Sequence, residues 1–83
     1  MKELKKQLKE SVDGKVMVRK SSQFKYREKF GEYRYDVYFD YPTTENKETI
    51  KRIISENGHT PLGFKIIAGT YGYVISFVSK EQL

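Results

Sequence analysis

Hydrophobic positions along the chain follow two rhythms, and these divide it into helices and strands. Met1, Leu4, Leu8 and Val12 recur at a spacing of three to four residues, which predicts a helix over residues 2–12 with one apolar stripe. Lys2, Lys5, Lys6 and Lys9 fall in a single band on another side of that helix. Asp13-Gly14 supplies its stop, with Gly14 as the left-handed residue just past the end. Residues 15–20 then alternate. Val16 and Val18 point one way and Lys15, Met17 and Arg19 the other, as in a half-buried strand.

The alternation is clearest over residues 24–41. A hairpin turning at Gly31-Glu32 sets Phe30 opposite Tyr33, Glu28 opposite Tyr35, Tyr26 opposite Val37 and Phe24 opposite Phe39, all on one face. The other face pairs Lys29 with Arg34, Arg27 with Asp36 and Lys25 with Tyr38. Pro42-Thr43-Thr44 stops the strand and offers caps to a second helix over about residues 45–57. Ile50, Ile53 and Ile54 form its buried face, and Asn57-Gly58 ends it. Two further strands are expected over residues 64–68 and 73–79, joined through Gly69-Thr70-Tyr71-Gly72. The last strand is apolar on both faces, so it lies either at the centre of the sheet or at an interface. The resulting expectation is a single α+β domain over residues 1–83, ordered α-β-β-β-α-β-β. It is a two-layer sandwich of a mainly antiparallel sheet with both helices packed on one face.

Charge adds a direction to this picture. Sixteen Lys and Arg against 11 Asp and Glu leave a net charge of +5. Residues 1–20 alone hold seven basic and three acidic residues, so the surplus sits in the first quarter. The lysine-rich start is followed by no apolar run of signal-peptide type, and no stretch approaches the roughly 20 apolar residues of a spanning helix. A cytoplasmic protein with no membrane partner is the expectation. With no cysteine there is neither a disulfide framework nor a thiolate metal site.

Catalytic chemistry finds little support. His59 is the one histidine, in a loop with no second ligand beside it, and Ser21, Ser22 and Ser76 lack a nucleophile's surroundings. No phosphate-cradling glycine pattern occurs. The expectation is a non-enzymatic protein with no cofactor, no metal and no small-molecule substrate.

The candidate constellation is instead a basic sheet face. Lys15, Arg19, Lys25, Arg27, Lys29 and Arg34 would surround Tyr38, a layout suited to phosphates and stacked bases of DNA or RNA. Lys2, Lys5, Lys6 and Lys9 would form a secondary basic stripe. The bland alternative is that a sheet covered on one side must solvate the other, and lysines serve that purpose equally well.

A second expectation is a protein partner of nucleic-acid metabolism, or a second copy of the chain, docked on Tyr71, Tyr73, Ile75 and Phe77. In size and in its cysteine-free, Tyr- and Lys-rich composition the chain resembles accessory proteins of phages and mobile elements. Inhibitors of CRISPR effectors are among them. The resemblance implies an inhibitor or adaptor that binds a nucleic-acid-processing machine. The order of the first five expected elements is also similar to that of double-stranded-RNA-binding domains. That family's lysine cluster at the start of its last helix is replaced here by Thr44-Glu45-Asn46-Lys47-Glu48.

Overall fold

The computed structural model describes residues 2–21, 31–67 and 72–80. The elements are α1 (Lys2–Ser11), β1 (Val16–Lys20), β2 (Tyr33–Phe39), α2 (Thr44–Glu56), β3 (Thr60–Ile66) and β4 (Tyr73–Ser79). The four strands form one antiparallel sheet in the order β1-β2-β4-β3. Leu4, Leu8 and Val12 from α1 and Ile50, Ile53 and Ile54 from α2 meet Tyr35, Val37, Phe39, Ile75 and Phe77 in one buried cluster. Both helices therefore cover the same face of the sheet, as expected of a two-layer α+β fold. No helix among the described residues is long and apolar enough to cross a membrane.

The helix ends follow the local chemistry of the sequence. The Thr43 side chain caps α2 by accepting from the Asn46 amide at 3.1 Å, and Glu45 sits in the first turn. At the other end Gly58 has φ +82. Its amide donates to the Ser55 carbonyl at 3.0 Å, and that of His59 reaches back to Ile54 at 3.1 Å. These two bonds close a Schellman turn, which requires the left-handed residue that glycine provides.

The hairpin expectation needs correction. The strand proposed over residues 24–30 lies outside the described residues. Its expected partners on β2, however, are already taken. Val16 pairs with Phe39, Val18 with Val37 and Lys20 with Tyr35 on one side of β2. Tyr73, Ile75 and Phe77 pair with the same three residues on the other side. A strand has two hydrogen-bonding edges, and along residues 35–39 both are occupied. β4, left open as central or interfacial, is central.

Two polar contacts tie the layers together at one end. Asn46, 1% exposed, accepts from the Asp13 amide at 3.1 Å and donates to the carbonyls of Asp13 at 2.9 Å and Tyr41 at 2.8 Å. One carboxamide on α2 thereby fixes the α1–β1 and β2–α2 connections. Beside it, the Asp40 carboxylate accepts from the Lys15 amide at 2.8 Å. Gly14 passes this carboxylate with φ +87, and a Cβ there would collide with Asp40 Oδ1 and press on Tyr41 Cβ at 3.3 Å.

Asn46→Ala leaves three main-chain groups without their partner and is expected to cost on the order of 2–3 kcal/mol. Urea unfolding checks this as a lowered midpoint at unchanged slope. Gly14→Ala is expected to cost about 1–3 kcal/mol through its left-handed backbone and the Asp40 collision. Equal midpoints for that variant and the wild type would contradict the close approach.

Candidate functional site

Strand register sorts the side chains of the uncovered face into rows. Arg19, Asp36 and Ser76 form one row, and Met17, Tyr38, Val74 and Lys65 the next. Arg34 stands beyond the first row, opposite Val78. Between them lies a concavity of about 320 Å³, lined among others by Arg19, Arg34, Asp36, Tyr38, Lys65 and Ser76.

Four of the seven expected site residues fall on this face: Lys15, Arg19, Arg34 and Tyr38. Lys25, Arg27 and Lys29 lie outside the described residues. The face also holds a cation that the sequence reading missed. Lys65 reaches it because β3 pairs with β4 and places Lys65 opposite Val74. Its alternation with Phe64 was visible in the sequence, but the register of that strand against the next was not. Lys20 borders the concavity, but its register with Tyr35 turns its side chain to the other face, with its ammonium 5.8 Å from the Tyr33 ring centroid.

Asp36 organises the floor. The Ser76 hydroxyl donates to Asp36 Oδ1 at 2.6 Å, and Arg34 Nη2 donates to Ser76 Oγ at 3.3 Å. The Arg34 guanidinium lies 3.9 Å from Asp36 Oδ1, and the two side chains are only 15% and 16% exposed. The Tyr38 hydroxyl makes a long hydrogen bond of 3.4 Å to Asp36 Oδ2. The expected pairing of Arg27 with Asp36 is replaced, among the described residues, by this Arg34–Ser76–Tyr38 set. The carboxylate thus holds Arg34 and Tyr38 in place and subtracts one charge from Arg19, Arg34 and Lys65. Arg19 and Lys65 remain exposed at opposite flanks of the concavity.

The other two expected surfaces are corrected. Lys5, Lys6 and Lys9 are exposed, but α1 lies in the helix layer, so its stripe does not extend the open sheet face. Lys2 belongs to the same helix. The apolar surface expected around the last strand is not a surface: Ile75 and Phe77 are both 0% exposed beneath the helices. Tyr73 is partly buried and stacks on Phe64, with centroids 5.9 Å apart. Tyr71 lies outside the described residues. Among the described residues, the large apolar side chains that remain exposed are Tyr41 and Ile66. His59 is half-buried, with its ring 5.3 Å from that of Phe77.

No family model matches the chain, and neither do the curated proteins nor the solved structures compared with it.

Burial, then the charge of Asp36 and the hydrogen bond to it, raise the Tyr38 pKa above the usual tyrosine value, while Arg19 pulls it down. A raised value favours the neutral phenol. Its contribution to stability is present below the ordinary tyrosine pKa and is lost as pH rises through the folded-state value. Spectrophotometric titration of the wild type against Tyr38→Phe should show one phenol ionising late. In Asp36→Asn that titration should move back down. A Tyr38 that ionises at or below the ordinary value would refute the placement of Asp36 beside it.

Proposed function

We propose that the protein is a non-enzymatic nucleic-acid-binding accessory protein that uses the uncovered face of its sheet. The observation that carries this reading is the convergence of Arg19, Arg34 and Lys65 on one concavity containing Tyr38. Arginine and lysine side chains neutralise phosphates and release their counterions, which gives affinity without sequence preference. An aromatic ring among them offers a stacking platform for an unpaired base. Arg34, held by Ser76 and Asp36, is oriented in advance, so less side-chain freedom is lost when a phosphate arrives. Arg19 and Lys65 stand on the two edge strands and would follow a backbone running across the sheet. Single-stranded nucleic acid suits this layout best, because a duplex would present no base face to Tyr38.

A protein-binding inhibitor or adaptor is the second reading. Exposed Ile66, at 76%, and Tyr41, at 53%, support it. Single exposed apolar residues are common on any surface, so the basic concavity weighs more.

The test is the retardation of a labelled single-stranded oligonucleotide across a salt series. Three phosphate contacts give a slope of log K against log salt of about −2. Arg19→Glu/Lys65→Glu, at two exposed positions, is expected to abolish most of the binding with the fold intact. Tyr38→Ala is expected to lose about 1–3 kcal/mol, and Tyr38→Phe much less. If no DNA or RNA is retained at low salt, the nucleic-acid reading is wrong.

A further inference from the structure

Among the described residues the sheet has two edge strands, and they differ. β3 carries Pro61 and a register shift between Pro61 and Phe64, two features that blunt an edge against pairing. β1 has neither. It pairs with β2 without interruption from Val16 to Lys20. The bonds from the Asp40 amide to the Lys15 carbonyl and from the Ser21 amide to the Arg34 carbonyl mark the hydrogen-bonded positions of this ladder. Alternation then turns the main-chain groups of Val16 and Val18 away from β2, toward the open side. Among the described residues, no strand pairs with that side.

Above this edge runs a groove of about 310 Å³, lined by Lys5, Leu8 and Lys9 of α1 and by Val16, Met17 and Val18 of β1. Its floor is apolar. Leu8 is fully buried, and the three strand residues are half-buried. Its rim is basic, since Lys5 and Lys9 are both exposed. At about 100° per residue these two lysines lie on the flank of α1 that turns away from α2. The opposite flank is marked by Gln7, which accepts from Asn57 Nδ2 at 2.8 Å and donates to Glu3 at 3.2 Å. Among the described residues, no Asp or Glu lines the groove.

We propose that the β1 edge is a docking site for an extended, acidic segment of a partner protein, which adds to the sheet as a further strand. Main-chain groups of the segment would pair with Val16 and Val18. Alternate apolar side chains would enter the groove over Leu8, and Asp or Glu residues would meet Lys5 and Lys9. This is strand addition, in which the ladder supplies affinity and the pockets supply selectivity. The charge distribution selects the occupant. A second copy of the chain would bring its own Lys5, Lys9 and Arg19 to the same edge, and like charges in register oppose pairing. An acidic strand turns that repulsion into attraction.

The probe is a synthetic peptide of about ten residues alternating Glu and Val, titrated into the isotopically labelled protein. Amide resonances of Val16 and Val18 are expected to shift and to gain protection from hydrogen exchange. Lys5→Glu/Lys9→Glu should weaken binding about tenfold, consistent with two surface ion pairs. A peptide with Gln in place of Glu should be weakened similarly. Lys65→Glu, on the uncovered sheet face, should leave peptide binding unchanged, which separates this site from the proposed nucleic-acid surface. The amide spectrum of each variant reports whether it folds, and Lys5→Gln/Lys9→Gln removes the charge more gently. Four results would overturn the proposal: no shift at Val16 and Val18, shifts that ignore the lysine substitutions, the same amides responding to an oligonucleotide but not to the peptide, or a homodimer that protects them.

Discussion

The carboxamide of Asn46 is the contact on which the arrangement of the layers depends. A two-layer fold of this size has few apolar side chains with which to orient its helices. Hydrophobic packing is also non-directional: it holds α1 and α2 against the sheet without specifying how far along it they sit. Asn46 supplies the missing direction, because a hydrogen bond fails when its geometry is wrong. Its three bonds join Asp13, in the connection after α1, to Tyr41, in the connection before α2, at the end of the sheet where β1 begins and β2 ends. The Asp40–Lys15 bond and the close passage of Gly14 lock the same corner from the strand side. The register of β1 on β2 is set within a few residues of this corner. From it follow the positions of Arg19 beside Asp36 and of the outward-facing valines.

The elements were largely legible in the sequence, and their partners were not. Capping residues, glycine stops and the 3–4 spacing of Leu4, Leu8, Ile50, Ile53 and Ile54 are local signals, and the helices fall where these put them. The hairpin register failed for an instructive reason. Pairing residues 24–30 with β2 separates apolar from charged positions everywhere but at Glu28. Pairing β1 with β2 separates them equally well, because the two registers differ by an even number of residues. Period-2 alternation determines which face a side chain occupies. It is silent about which strand lies alongside.

The same limit explains the candidate site. Arg34 and Tyr38 were assigned to the open face from alternation within one strand, and they are there. Lys65 was missed because its face depends on the register of β3 against β4, which alternation within one strand does not supply. Ile75 and Phe77 were offered as an interface because their strand is apolar on both sides. Central placement between β2 and β3 accounts for that pattern, and the core claims both residues. Asn46 was invisible as a structural keystone, since a polar residue early in a helix ordinarily faces water. Its burial follows from two loops meeting above it.

Charge, by contrast, translated directly from sequence to space. The basic surplus of the first 20 residues belongs to α1 and β1. These two elements are neighbours at one side of the molecule, so a one-dimensional excess becomes a positive flank. The concavity around Tyr38 opens on one side of β1, and the groove below Lys5 and Lys9 lies along its other side. A field of this shape favours approach of negatively charged partners toward β1 before any specific contact forms. What then distinguishes the two surfaces is their chemistry. The sheet face offers guanidinium and phenol groups around one concavity, the chemistry that the proposed nucleic-acid reading requires. The edge offers the outward-turned main-chain groups of Val16 and Val18 and an apolar floor, which only a polypeptide strand satisfies together. One polarised flank would thereby carry both proposed recognition surfaces.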